Sequence, residues 1–234
     1  MSDRLAELTW PRIGERAAAG ALLAVPLGST EQHGPHLPTS TDTDLAVALC
    51  ERLAAARHDV LIAPPVAYGS SGEHAGFPGT LSIGQEAVEL LVLELVRSAT
   101  DTFAHVVLVS AHGGNTEPVT RAVRRLRAES RDVHLFVPTW DGDPHAGREE
   151  TAMQLALRPD RVRMADAVPG DTRPLSDTWP LLRSGGVRAV SDTGILGDPT
   201  GATAAEGARL LAELAATLIA EVAAWRPTAR ATRS

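Results

Sequence analysis

The 234-residue chain contains no lysine; all 22 of its basic residues are arginine. Without lysine there is no Schiff-base amine, no pyridoxal-phosphate anchor, no phosphate-loop lysine and no lysine general base. Arginine stays protonated at any working pH and replaces none of these. Aromatic residues make up only 3% of the chain, too few for a platform on which single-stranded nucleic acid would stack. Cys50 is the single cysteine and makes no intramolecular disulfide; its run DLAVALCERLAAA reads as a packed helix. The net charge of −7 argues against nucleic acid and anionic membrane as partners. No apolar run approaches the roughly 20 residues that span a bilayer. The N-terminal MSDRLAELTW lacks the basic and apolar regions of a secretory signal. The expectation is a soluble, cytoplasmic protein with no membrane partner.

What is present is an ordinary globular balance, 44% hydrophobic and 22% charged, in a chain long enough for one generous domain. Short apolar runs at 21–28, 59–66, 105–111 and 133–138 read as strands, and stretches near 42–56, 84–103, 116–129 and 203–225 as helices. Nearly continuous apolar strands alternating with helices predict an α/β fold: a single-domain, three-layer α/β/α sandwich with a mostly parallel central sheet. The domain is expected to cover residues 1–225, and RPTARATRS, 226–234, to form a flexible tail.

The unusual residues fall after the strands. The loops are GSTEQHGPHLPTSTDTD, YGSSGEHAGFPGT, AHGGN and TWDGDPHAGREET, and in a parallel sheet all four emerge at the carboxyl edge, where such folds place ligands. His33, His36, His74, His112 and His145 lie in them, whereas His58, His105 and His134 sit at strand starts on the opposite edge. Glu31, His33, His36 and Asp42 fall within a dozen residues, and mixed carboxylate and imidazole suits Zn²⁺, Mn²⁺ or Fe²⁺. In an extended Glu-x-His the two side chains share a face. Asp42 would open the next helix, where it could equally serve as its cap, and His36 is either a ligand or a hydrogen-bond partner of one. His112 stands between a strand end and Gly113-Gly114, and Asn115 could cap the helix that follows. Glu149 and Glu150 open a helix after His145, a place the helix dipole favours for acids in any case. Glu73 and His74, preceded by Tyr68, form a candidate substrate contact or lid. No Gly-x-Ser-x-Gly elbow occurs, which argues against a serine hydrolase.

These residues resemble the creatininase family. The matching signatures are Gly28-Ser29-Thr30-Glu31-Gln32-His33-Gly34-Pro35-His36-Leu37-Pro38, Thr41-Asp42, His112-Gly113-Gly114-Asn115 and His145-Ala146-Gly147-x-x-Glu150-Thr151. The likeness runs from about Leu5 to Trp225. The segments Tyr68–His74, Gly76–Thr80, Gly185–Val190 and Gly197–Gly201 look like the branch that trims a modified ribosomal peptide in making the redox cofactor mycofactocin.

The resemblance implies a metal-dependent amidohydrolase with two divalent ions per subunit, Zn²⁺ and/or Fe²⁺ with Mn²⁺ also suited. Glu31, Asp42 and His112 would hold one ion, and His33, Asp42 and Glu150 the other, with Asp42 bridging. Creatininase has a glutamate at the position of Gly114, so Glu150 takes that role here, and Ser110-Ala111 replaces the usual Asn-Gly before His112. A metal-activated hydroxide would attack the amide, with His145, Glu149 or Glu73 protonating the leaving nitrogen; His36, Tyr68, His74 and Asn115 would contact substrate. The implied substrate is the modified precursor peptide, cleaved near its C-terminus to release a Val-Tyr-derived piece, by a homo-oligomer, commonly a hexamer. Competing readings are hydrolysis of creatinine or another small cyclic amide or formamide, and a non-catalytic peptide-binding scaffold.

Overall fold

The computed structural model describes residues 3–226. Four strands, β1 (Leu22–Leu27), β2 (Val60–Ile62), β3 (His105–Ser110) and β4 (Asp132–Phe136), form one sheet in the order β2-β1-β3-β4. Every pairing among them is parallel, with Leu23 opposite Val106 and Val107 opposite His134. The strands are apolar on both faces because both faces are covered. Leu22, Ala24, Val107 and Val109 pack with helices α2 (Thr41–Ala56), α5 (Arg148–Leu157) and α7 (Ala204–Trp225). Leu23, Val25, Val106 and Leu108 pack on the other side with α1 (Trp10–Ala18), α3 (Gln85–Ala99) and α4 (Thr116–Ala128). The result is the three-layer α/β/α sandwich that the alternation of strands and helices predicts.

Three differences from the sequence reading have local causes. α1 buries no residue fully, its Ile13 and Ala17 packing against the core only in part. α6 (Leu175–Gly185) holds Pro180 inside it and buries only Thr178, leaving Leu175, Trp179 and Leu181 exposed. The second strand is shorter than the apolar run it lies in, because Ala63-Pro64-Pro65 interrupts it and only an isolated bridge from Leu27 to Val66 follows. The expected tail lies outside the described residues from 227 onward; Arg226 itself is held, its carbonyl accepting from Arg57 Nη1 at 2.9 Å. Among the described residues no helix is long and apolar enough to cross a membrane.

The strand order fixes where chemistry can occur. β1 connects to β2 on one side, and β3 and β4 extend the sheet on the other. The loops leaving β1 and β3 therefore diverge over a crevice at the carboxyl edge, the topological switch point of the sheet.

Candidate metal centre

The loop after β1 delivers Glu31 and His33, and the first turn of α2 delivers Asp42. Asp42 is not the helix cap: Ser40 occupies that place and makes no side-chain cap bond. Its carboxylate faces the crevice, where Oδ1 lies 3.2 Å from His33 Nε2 and Oδ2 lies 3.1 Å from His112 Nδ1. Ser29 Oγ donates to Oδ2 at 2.7 Å and fixes the carboxylate plane. His112, at the end of β3, turns Nε2 toward Ser70 O at 2.9 Å and Glu31 Oε2 at 3.3 Å.

From the opposite side, α5 brings Glu150, whose Oε2 accepts from Ala146 N at 2.6 Å and lies 3.9 Å from His33 Nε2. Ala146 takes φ 52°, a left-handed conformation that costs about 1–2 kcal/mol for a residue with a Cβ. That turn aims its amide at Glu150 and sets His145 against the cluster. His145 Nδ1 lies 4.0 Å from Glu31 Oε1, and its ring centroid is 4.4 Å from that of His33.

Three overlapping groups each offer ligand atoms within 4.8 Å of one another: Glu31, Asp42 and His112; His33, Asp42 and Glu150; and Glu31, His33 and His145. All six residues are buried. Such a concentration of charge away from water is costly unless charges pair or a cation joins them.

The protonation preferences express that cost. Burial, reinforced by Asp42, pushes Glu31 up to about 7. Burial does the same to Glu150, also to about 7, against the pull of His33. Burial opposes charge on His33 and His112, but the Asp42 carboxylate overrides it, lifting them to about 10 and about 9. Burial would also raise Asp42, yet the two imidazoles hold it well below the usual carboxylate range. Glu31 Oε2 is buried and makes no hydrogen bond. Hard oxygen and borderline nitrogen donors converging on an unsatisfied carboxylate fit divalent metal ions.

The remaining candidates from the sequence divide clearly. Glu73 lies at the rim with its side chain 37% exposed and Oε1 3.8 Å from His112 Nε2. Glu149 is not in the cluster; its Oε2 accepts from Asp143 N at 2.9 Å and shapes the loop before α5. His145 is within the cluster, where burial, then the charge on His33, lowers its basicity well below the ordinary histidine value. Tyr68 is exposed beside the second loop.

The expected substrate contacts His36, His74 and Asn115 are all buried. His36 Nε2 bonds Thr151 Oγ1 at 2.8 Å, and burial, then His33, lowers it to about 4. His74 Nε2 faces Glu31 Oε1 at 3.3 Å, and burial, then His33 and His112, lowers it to about 3. Asn115 staples two loops together, accepting from Ser70 N and donating to Gly28 O, both at 2.9 Å.

Sequence reasoning missed Gln32 and Ser29, which touch the cluster directly at His145 and Asp42. Their only signal was their position inside the same loop as Glu31 and His33. Gly114 is tightly enclosed: a Cβ there would collide with Ser70 O and Glu73 Oε1 and stand 2.6 Å from His112 Nε2. The acid that stands with His33 and Asp42 is Glu150, on α5.

A parallel α/β/α sandwich that gathers three carboxylates and three imidazoles at its switch point has the architecture of a metal-dependent hydrolase. Residues 6–222 match the family described as creatinine amidohydrolase. The chain belongs to the creatininase family. It is 50% identical over 214 residues to the mycofactocin precursor peptide peptidase of Mycolicibacterium smegmatis, covering 88% of this chain and 86% of that protein. Among solved structures, a manganese creatininase superposes with a TM-score of 0.83 at 26% identity, over 97% of this chain and 100% of the other. A glutamate-to-glutamine creatininase mutant of Zn-Zn type does so with a TM-score of 0.82 at 25% identity, also over 97% and 100%.

Proposed function

We propose that the chain is a metal-dependent peptidase that hydrolyses an amide bond near the C-terminus of the modified mycofactocin precursor peptide, releasing a Val-Tyr-derived fragment. The carrying observation is the Asp42 carboxylate, which belongs to two ligand groups at once. The named activity of the mycobacterial relative supplies the substrate class.

Glu31, Asp42 and His112 would hold one divalent ion, and His33, Asp42 and Glu150 a second; Zn²⁺, Fe²⁺ and Mn²⁺ all suit these donors. Such ions, when bound, supply Lewis acidity for the amide carbonyl and lower the pKa of water from 15.7 toward about 7. The chain's own residues do the rest. Ser29 fixes the Asp42 carboxylate, and Ala146 N fixes Glu150. His145, facing Glu31 through Nδ1, moves a proton between the attacking water and the leaving nitrogen, and Glu73 at the rim receives the peptide. Residues 1–225 act as one catalytic domain in a cytoplasmic homo-oligomer, with a hexamer the favoured assembly.

Mass spectrometry of products from metal-loaded protein tests this, with modified precursor peptide and creatinine offered in parallel. Release of the C-terminal fragment is expected. Turnover of creatinine with the peptide left intact would overturn the reading in favour of a cyclic-amide hydrolase.

A further inference from the structure

Gln32 belongs to no ligand group, yet its side chain lies between His145 of the cluster and His74 beside it. Its Oε1 accepts from Gly34 N at 2.8 Å, and its Nε2 donates to Gly194 O at 3.0 Å. A backbone N–H only donates and a backbone carbonyl only accepts, so these two neighbours fix which end of the amide is which. With its orientation fixed, Nε2 has one N–H left. Two imidazole nitrogens lie in reach: His74 Nδ1 at 2.9 Å and His145 Nε2 at 3.1 Å.

A second backbone group decides between them. His145 Nε2 is also 3.0 Å from Gln32 O, an acceptor, so this nitrogen carries the proton and donates to it. It then has no lone pair for the amide, whose second N–H goes to His74 Nδ1. His74 is thereby left with its proton on Nε2, which faces Glu31 Oε1 at 3.3 Å. His145 presents its other nitrogen, Nδ1, toward Glu31 and His33.

We propose that Gln32 is a positioning residue that sets both tautomers through its side-chain amide and backbone carbonyl, holding His74 as a donor to Glu31 and His145 with Nδ1 toward the cluster. Gly194 makes room for this arrangement. It takes φ +80°, and a Cβ there would collide with Gln32 Oε1 and stand 2.7 Å from Nε2. The amide thus lies flat on a position where only glycine fits, linking the first loop to the chain 162 positions away. A histidine's reactive nitrogen is chosen by the hydrogen bond its other nitrogen makes. Here one residue makes that choice twice.

The tautomers follow from hydrogen bonding alone, whereas their consequence for turnover rests on the amide-hydrolase reading. The test is a nitrogen-15 spectrum of the imidazoles in histidine-labelled, metal-free protein, for wild type, Gln32→Glu and Gly194→Ala. In wild type, His74 should show a protonated Nε2 and a bare Nδ1, and His145 a protonated Nε2. Gln32→Glu replaces the donor by an acceptor and should move the His74 proton to Nδ1, leaving His145 unchanged because the backbone carbonyl remains. Gly194→Ala should unseat the amide and leave His74 a mixture of both forms.

In metal-loaded protein each variant should lose about 10- to 100-fold in kcat or in metal affinity, the usual effect of removing a group that orients a ligand, with KM changed less. His74 protonated on Nδ1 in wild type, or a spectrum identical in all three proteins, overturns the assignment. Wild type with the assigned tautomers but no peptide cleavage would sink the peptidase reading and leave this one standing.

Discussion

The two oxygens of Asp42 serve two different histidines: Oδ1 lies 3.2 Å from His33 Nε2, and Oδ2 lies 3.1 Å from His112 Nδ1. His33 comes from the β1 loop and His112 from the end of β3, so one carboxylate ties together the two sides of the switch-point crevice. If both ligand groups depend on it, Asp42→Asn should empty both. Elemental analysis should find close to no bound divalent ion in that variant, while Glu150→Gln should retain the ion held by Glu31, Asp42 and His112.

Metal uptake should release protons. Glu31 and Glu150 are pushed up to about 7, and His33 and His112 to about 10 and about 9, so at neutral pH several ligands carry protons that a cation must displace. Titration calorimetry near pH 6 in buffers of different ionisation enthalpy should show a net proton release that shrinks as pH rises.

The metal-free protein should lose stability as pH rises above neutrality. The folded chain binds more protons than the unfolded one wherever a native pKa is raised, so the contribution falls with pH. For Glu31 and Glu150 the window runs from 4.5 to about 7. For His33 and His112 the contribution is fully present below 6.5 and is lost through about 10 and about 9. Asp42 acts oppositely only well below 3.8, and His36, His74 and His145, lowered by burial, act oppositely below 6.5, offsetting the glutamates there. Thermal melts of stripped protein should therefore show a falling Tm from pH 7 to pH 9; a rising Tm over that range would contradict these assignments.

The neighbours Glu149 and Glu150 should behave differently. Glu149 accepts from Asp143 N and touches no member of the cluster, so Glu149→Gln should keep metal and rate and cost about 0.5–1.5 kcal/mol, read from denaturant melts. Glu150→Gln should lose most activity without a comparable loss of fold.

Gly114→Ala tests the close packing at that glycine. A Cβ there meets Ser70 O, a backbone atom that cannot rotate away, and crowds His112. The variant should lose about 1–3 kcal/mol of stability and bind its metal more weakly, since His112 must move.

Much of this was legible in the chain because it was local. The apolar runs that became β1 and β3 are buried on both faces and so continuous, and the strand-end loops carry the ligand-type residues at short spacing. What was hidden depends on contacts between distant segments. His74 read as a substrate contact or lid residue, and Asn115 as a helix cap or substrate contact, with no sign that Gln32, Gly28 and Ser70 surround them. Gln32 carries no charge and has no ligand chemistry, so only its place between Glu31 and His33 marked it before Gly194 was placed beside it. Glu149 and Glu150 are alike as acids at a helix start; the family signature marks Glu150, and the left-handed turn at Ala146 aims an amide at it.

The most direct measurement is cleavage of the modified precursor peptide by stripped and reloaded protein, alongside Asp42→Ala treated the same way. The account predicts that stripping abolishes release of the C-terminal fragment. Adding Zn²⁺, Fe²⁺ or Mn²⁺ to wild type should restore release, and no ion should restore it in Asp42→Ala. Full-rate cleavage by the stripped protein, or by Asp42→Ala, would contradict it.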